Sequence, residues 1–342
     1  MFTRLSLSLS VLLAAGSVFA QMAPPIAAGS AAAEPSSVAL DKMIVTANPF
    51  ARRQDELVQA TDVLYGAELV RRQAATLGET LATEPGVSST YFGPGASRPV
   101  IRGLGGDRVR VLQDGVGTID AATISPDHNV SLEPLLADRI EVVRGPATLL
   151  YGSTAIGGVV NVLDNRVPQE IPDAALTGQF SGLLDSAADE RSAALLLEGA
   201  DGAGAWHLDG FKRRTHDVRI PGFADPANPV NKGHLANSAI ASEGAALGTA
   251  FIAKAGRIGA SYSGYNSTYG TVAEEDVTIV MHQRRLDLLG ELTRAFGPFR
   301  SARVKIGAAD YNHRELEGDE IGTVFTNHGY EGRFDLMNGK LA

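Results

Sequence analysis

Cysteine is absent from this chain of 342 residues, and tryptophan occurs once. Without cysteine there is neither a disulfide framework nor a thiolate metal site, although export to an oxidising compartment is compatible. The formal net charge is −9 and no long stretch is rich in lysine and arginine. Nucleic acid is therefore not an expected partner.

Signatures of catalysis are also missing from the sequence. No glycine-rich loop ends in Gly-Lys-Ser/Thr, and neither a Gly-x-Ser-x-Gly elbow nor a His-Glu-x-x-His helix motif occurs. We therefore do not expect an enzyme, and no bound cofactor is required.

Residues 1–20 have the pattern of a secretory signal. Arg4 precedes an apolar stretch that starts at Leu5, and small residues lead to an expected cleavage after Ala20. This apolar stretch is shorter than the roughly 20 residues that a transmembrane helix needs. No later stretch is long and apolar enough to span a bilayer as a helix. A membrane-embedded mature protein would therefore have to be a β-barrel.

Residues 21–50 are expected to be a flexible segment. From Gln21 to Leu40 the composition is mainly Ala, Pro, Ser and Gly without aromatics, which cannot bury enough surface to fold alone. A β-favouring run follows it. A short extended run after a flexible segment suits strand addition to a partner's sheet edge, and the alternative is the first strand of the next domain. The run consists of Asp41, Lys42, Met43, Ile44, Val45, Thr46 and Ala47.

Residues 51–167 are predicted to form a compact α+β domain. Helix-capping and turn signals set its elements. The predicted elements are a helix capped by Thr76 and Glu79 that stops near Pro85-Gly86, strands at 100–103, 109–112 and 140–143, a turn at Gln113-Asp114-Gly115, a short helix capped by Ser131 that runs to Leu136, and a helix that Pro146 opens and Gly152 closes.

Residues 168–342 alternate between apolar and polar side chains with a period of two. Such segments, each about ten residues long, are typical of a transmembrane β-barrel. A soluble β-sandwich also alternates and is the alternative, but frequent small residues on the apolar face favour the barrel. Apolar members of the pattern are Leu176, Phe180, Trp206, Leu208, Ile258, Tyr262, Leu286, Leu288, Val304, Ile306, Phe334 and Leu336, and a short turn is predicted at Gly297-Pro298.

Adjacent carboxylate and imidazole groups at Asp127 and His128 follow Ser125-Pro126 in a predicted loop. Together they offer an oxygen and a nitrogen ligand to one borderline metal ion. Two ligands are too few for a site, and a hydrogen-bonded loop pair is the alternative. The later histidines are expected on solvated polar faces of strands and loops, namely His216, His282, His313 and His328.

Two long motifs resemble a known family. Residues 137–152 read ADRIEVVRGPATLLYG and continue through AIGGVVNV at 155–162, while IRG at 101–103 and DRVRVLQDG at 107–115 form the earlier motif. Over residues 41–342 the chain resembles TonB-dependent outer-membrane receptors, most strongly in their plug domain. The resemblance implies an α+β plug at 51–167, followed at 168–342 by the N-terminal portion of an antiparallel transmembrane β-barrel.

The resemblance also implies partners and a mechanism. Residues 41–47 look like the TonB box, which pairs with periplasmic TonB as an added strand so that pulling remodels the plug. Outer-membrane lipid and a small metal or metal-chelate ligand are the other implied partners. A 22-stranded barrel needs many more residues than this chain has after its plug, where about eight strands are expected, so we expect a fragment.

Within the family, the chain looks most similar to the branch of zinc-uptake receptors. The similar residues are Ser125-Pro126-Asp127-His128 and the segment YNHRELE at 311–317. The resemblance implies that Asp127 and His128 contribute to metal binding. A departure from that branch is the stretch 269–280, expected to be a short loop without histidine. Ferric siderophore, haem, copper and cobalamin are alternative substrates, and a truncated ligand-binding or signalling module without transport is the alternative function.

Overall fold

The computed structural model describes residues 44–45, 52–53, 59–225 and 232–338. The predicted signal at 1–20 and all of the segment 21–50 except residues 44 and 45 lie outside this part of the chain. Within the described ranges, no helix combines the length and the apolar character needed to cross a bilayer.

Short strands and helices make up the described part of the chain before residue 168. The strands are β1 (Ile44–Val45), β2 (Arg52–Arg53), β3 (Thr61–Tyr65), β4 (Val87–Ser89), β5 (Pro99–Ile101), β6 (Val109–Gln113), β7 (Val116–Gly117), β8 (Arg139–Arg144) and β9 (Gly158–Leu163). The α-helices are α1 (Gly66–Arg72), α2 (Leu77–Leu81) and α3 (Thr148–Tyr151), and 3-10 helices cover Gly106–Arg108, Pro134–Leu136 and Ser153–Ala155. We call residues 59–167 the α+β region.

A five-stranded sheet in the order β3-β8-β9-β6-β7 forms the centre of the α+β region. β6 and β9 are parallel, and the other neighbours are antiparallel. β8 and β9 are almost continuously buried because both faces of the sheet are covered. Leu77 and Leu81 of α2 pack in the same buried core as Ile140 and Val160 of these strands.

Two predicted helix ends differ from the structure. Thr76 caps α2 as predicted, since its Oγ accepts a hydrogen bond from the N–H of Glu79 at 3.4 Å. The helix ends at Leu81 instead of near Pro85, and a turn at residues 82–83 leads to that proline. Ser131 as a cap is wrong, since Glu133 caps the 3-10 helix by accepting from the N–H of Leu135 at 3.1 Å. Glu133 is placed for this role because Pro134 occupies the first helical position.

Antiparallel strands follow residue 175, and most of them are long. They are β10 (Leu176–Asp185), β11 (Glu190–Asp201), β12 (Gly204–Arg214), β13 (Arg219–Phe223), β14 (Lys232–His234), β15 (Ile240–Ala253), β16 (Gly256–Thr271), β17 (Glu274–Leu292), β18 (Phe299–Glu317) and β19 (Glu320–Asn338). Eight of them form one sheet in the order β10-β11-β12-β15-β16-β17-β18-β19, while β13 and β14 pair separately. Within the described ranges this sheet is open, with β10 and β19 as its edges.

The single eight-stranded sheet matches the expected part of a barrel and shows that the sandwich alternative is wrong. β10 has the predicted ten residues, but the other strands are longer, and β17, β18 and β19 have 19 residues each. The predicted turn at Gly297-Pro298 joins β17 to β18, and Gly297 has a φ of +52°.

The two faces of the sheet differ in their surroundings. The inner face packs on the α+β region, where Tyr269, Met281 and Tyr311 share a buried cluster with Leu135 and Ala121. The outer face, which points away from that region, carries exposed apolar side chains. One row of register partners across this face contains Leu208, Leu247, Tyr262, Leu286, Ala308 and Tyr330.

Candidate functional site

His128 lies in the loop between β7 and the Pro134–Leu136 helix and is fully buried against the inner face of the sheet. Hydrogen bonds fix this loop on both sides. Within the α+β region, the N–H and Oγ of Ser131 each donate to Asp120 Oδ2 at 3.2 Å. From the sheet, Tyr269 Oη accepts from the N–H of Asn129 at 2.9 Å. The histidine is therefore held in one place relative to the strands.

The hydrogen bonds of the His128 ring select its tautomer. Nδ1 lies 3.0 Å from the carbonyl oxygen of Ala121, which can only accept, so Nδ1 carries the proton. In the neutral ring, Nε2 then holds a lone pair that faces Glu315 Oε1 at 2.9 Å. Two acceptors at this distance need a proton or a metal ion between them. This arrangement, with a backbone carbonyl orienting the ring through Nδ1, is typical of metal-binding histidines.

β18 supplies the rest of the site, because alternate residues of a strand point to the same face. Tyr311, His313 and Glu315 all point to the inner face. His313 is fully buried, and its Nδ1 lies 2.7 Å from Tyr311 Oη. Its Nε2 is buried without a hydrogen-bond partner among the described residues, and Glu315 Oε1 is 3.7 Å away.

The donor atoms of His128, His313 and Glu315 lie within 4.8 Å of one another. Around a tetrahedral Zn²⁺ with ligand bonds of about 2.0–2.1 Å, neighbouring donor atoms are separated by roughly 3.4 Å. The two distances to Glu315, 2.9 Å and 3.7 Å, lie on either side of that value. Two imidazoles and one carboxylate suit Zn²⁺ or Cu²⁺ and leave a further coordination position.

Aromatic rings enclose this cluster. The ring of Phe325 on β19 is centred 4.9 Å from that of His128 and 4.6 Å from that of His313. The two histidine rings meet edge to face at 4.4 Å. The two imidazoles are fully buried whereas Glu315 is 21% exposed, and a desolvated imidazole pair gains more from a cation than an exposed pair would.

Of the two predicted metal ligands, His128 belongs to the cluster. Asp127 does not: its carboxylate accepts a hydrogen bond from Ser125 Oγ, and its carbonyl oxygen accepts from Tyr269 Oη at 3.4 Å. Metal binding by Asp127 and His128 stays a prediction. Sequence reasoning missed Glu315 as a ligand, although a His-x-Glu pair on a strand places both side chains on one face.

Two further predictions need correction. The solvated position expected for His313 is wrong because the α+β region covers that part of β18, whereas His216 and His328 are exposed as predicted. The expected loop at 269–280 does not form. β16 continues to Thr271 and β17 begins at Glu274, so only residues 272 and 273 form the turn.

Of residues 41–47, only Ile44 and Val45 lie within the described part of the chain, where they form β1. β1 pairs antiparallel with β2, with Ile44 opposite Arg53 and Val45 opposite Arg52. Among the described strands, β1 joins neither the five-stranded nor the eight-stranded sheet. TonB binding by this segment stays a prediction.

A family model and several solved structures match this chain. A family model described as the TonB-dependent receptor plug domain matches residues 53–159. Among solved structures, the chain is similar to the copper transporter OprC, with 17% identity, a TM-score of 0.60 and coverage of 75% of this chain and 37% of that one. It is similar to the siderophore receptor PirA from Pseudomonas aeruginosa, with 20% identity, a TM-score of 0.53 and coverage of 76% and 42%. It is also similar to the FrpB iron transporter from Neisseria meningitidis, with 14% identity, a TM-score of 0.63 and coverage of 82% of this chain and 46% of that one.

At these identities the likeness shows the fold: a plug domain followed by antiparallel strands of the kind that form a TonB-dependent receptor barrel. The chain spans less than half the length of the three structures that it matches.

Proposed function

We propose that this chain is part of a TonB-dependent receptor of the outer membrane that takes up a divalent transition metal, with His128, His313 and Glu315 holding the ion in transit. The convergence of these three donor atoms carries the proposal. The plug-domain match at residues 53–159 and the likeness to a copper transporter support it.

The origin of the ligands suggests how an ion would be released. His128 comes from the α+β region, whereas His313 and Glu315 come from β18. Movement of the plug away from the strands would remove one imidazole from the set and leave two ligands. Because affinity depends on ligand number and geometry, the weakened site would let the ion pass.

The chemistry of the site favours a bare ion over a large chelate. The two imidazoles are fully buried, and the ring of Phe325 packs on both of them. A ferric siderophore brings its own ligands and needs no imidazole. Zinc is the substrate we propose first, copper has the same ligand preferences, and siderophore or haem uptake is the second candidate because iron and siderophore receptors share the fold.

Calorimetric titration of the intact protein with Zn²⁺ and Cu²⁺ tests the metal site. We expect tight binding that weakens about a hundredfold in His128→Ala and in His313→Ala, because each change removes a ligand. His328→Ala is the matched control, since its side chain is 72% exposed on the outer face. Asp127→Ala shows whether that carboxylate contributes. If neither Zn²⁺ nor Cu²⁺ binds the wild-type protein, the proposed metal site is wrong and a siderophore or haem becomes the proposed substrate.

Substitution of Val45 by proline separates transport from ligand binding alone. Proline removes a backbone donor and fixes φ, so strand addition by TonB at residues 41–47 should fail. We expect metal uptake by cells to stop while calorimetric binding stays unchanged. Val38→Pro, outside the predicted box, is the control. If uptake survives Val45→Pro, the coupling mechanism through residues 41–47 is wrong.

A further inference from the structure

A group of basic side chains lies on the outer face of the sheet, at one end of its apolar surface. Lys212 and Arg214 project from β12, His282 and Arg284 from β17, and Arg314 from β18. Strand pairing aligns them in rows across the sheet: Lys212 and His282 lie in one register row with Glu243 and Asn266 between them, and Arg214 and Arg314 lie in the next row. We call these five residues the basic rim.

A groove of about 470 Å³ runs between the basic residues of β12 and β17. Its lining includes Lys212, Arg214, Asn266, Thr268, His282 and Arg284. This volume lies within the range of roughly 300–1,000 Å³ that is usual for small-molecule sites. The groove therefore has room for a phosphorylated sugar or a lipid head group.

Basic side chains that line this groove outnumber its one lining carboxylate, that of Glu243. Lys212 pairs with Glu243 at 3.0 Å, and Arg284 donates to the side-chain oxygen of Asn266 at 3.1 Å. Arg214 and Arg314 form no ion pair with any residue that the structure describes. Both are exposed, so their guanidinium groups are available to an anion.

Gly264 leaves room for the Arg284 side chain in the groove. A Cβ atom at this position would lie 3.2 Å from Arg284 Nη1, which is closer than an ordinary contact. Gly210 and Ala245 are its neighbours in the same register row. Small residues thus form a floor over which the guanidinium group lies.

The rim borders the apolar surface at a defined edge of the sheet. On β12, Leu208 precedes Lys212 by about 13 Å along the strand at the usual rise per residue. The rim lies at the edge that carries the long connection from β12 to β15, residues 215–239. The opposite edge has short turns at 254–255 and 293–298. In outer-membrane barrels the longer connections are extracellular, so the rim is at the level of the outer leaflet head groups.

We propose that the basic rim binds the phosphate groups of a phosphorylated glycolipid of the outer leaflet, while its acyl chains cover the apolar row below. Charge complementarity selects the head group, since clusters of Lys and Arg at the edge of an apolar surface attract anionic lipids. Leu208, Leu247 and Tyr262 provide the adjoining apolar surface. This inference rests on the proposed outer-membrane location.

The test measures binding of bis-phosphorylated lipid A to the intact protein by native mass spectrometry. We expect the double variant Arg214→Gln/Arg284→Gln to bind lipid A about tenfold more weakly than wild type, because each cation near a membrane surface contributes severalfold. Arg294→Gln/Arg300→Gln removes the same charge from exposed residues at the opposite edge and should leave binding nearly unchanged. Dephosphorylated lipid A should bind weakly to every form.

Several outcomes would overturn the inference. Equal weakening in both double variants would mean that net charge, and not this groove, attracts the lipid. Displacement by inorganic phosphate at equal concentration would mean a free-anion site. Insertion into phosphatidylethanolamine bilayers is scored separately: failure to insert contradicts the membrane location itself, whereas insertion without lipid A selectivity contradicts only the basic rim.

Discussion

Charged side chains are buried on the inner face of the eight-stranded sheet, whereas large apolar side chains are exposed on its outer face. Arg213 and Arg285 on the inner face are among the largest fully buried side chains, whereas Leu208 and Leu247 on the outer face are exposed. A soluble sheet shows the reverse distribution. The difference indicates that the inner face is covered by a polar, folded partner and that the outer face is adapted to an apolar surrounding.

The inner face tolerates buried charges because each has a specific partner. Arg213 Nη2 donates to Glu133 Oε1 at 2.8 Å, and its Nη1 donates to Glu190. Arg285 forms two hydrogen bonds of 2.7 Å to Asp287 and donates to the carbonyl oxygen of Gly117 at 2.7 Å. Since Glu133 and Gly117 belong to the α+β region, burial of charge here also holds that region on the sheet.

Removal of Arg213 should have the largest effect on stability. Arg213→Ala leaves the buried carboxylate of Glu133 and the partly buried carboxylate of Glu190 without their cation, which costs about 3–5 kcal/mol. Chemical denaturation of the purified protein measures this loss. Lys212→Ala, one position away on the outer face, is the control, and its exposed pair with Glu243 contributes about 0–1 kcal/mol. Similar losses in the two variants would contradict the comparison of the faces.

A charge placed on the outer face should have the next largest effect. Leu208→Arg puts a guanidinium group in the apolar row, which costs about 2–4 kcal/mol if lipid covers this surface at mid-depth. Unfolding of the protein in lipid bilayers measures the cost. Thr326→Arg is the control, because Thr326 is exposed on the outer face at the level of the basic rim. A Leu208→Arg protein as stable as wild type would show that water, not lipid, contacts this face.

Local signals in the sequence predict much of this fold. Period-two alternation identifies the outward residues, and the predicted Asp114-Gly115 turn forms with both residues at positive φ, +50° and +85°. The metal cluster cannot be found in this way. His128 and Glu315 are 187 positions apart, and nothing local tells which strand of the sheet covers a given loop. The burial of His313 escapes sequence reasoning for the same reason.

The smallest expected effect on stability concerns Asp114, which lies in the turn between β6 and β7 of the α+β region. Its buried carboxyl group lacks a full set of hydrogen-bond partners. Its Oδ1 is buried and has no hydrogen-bond partner among the described residues, while Lys305 donates to its backbone oxygen. Burial, reinforced by the nearby carboxylate of Asp164, raises the pKa of Asp114 well above 3.8.

A raised pKa means that the folded protein holds this proton more tightly than the unfolded chain does. The stabilisation is therefore complete below the ordinary pKa and is lost as pH rises through the folded value. Asparagine is a neutral isostere that also tolerates positive φ, so Asp114→Asn should flatten the decline in unfolding free energy as pH rises from acid towards neutral. Denaturant titrations of both proteins across this range measure the slope. An unchanged slope would show that Asp114 ionises freely, and that the inner face accommodates a charge without the pairing that Arg213 requires.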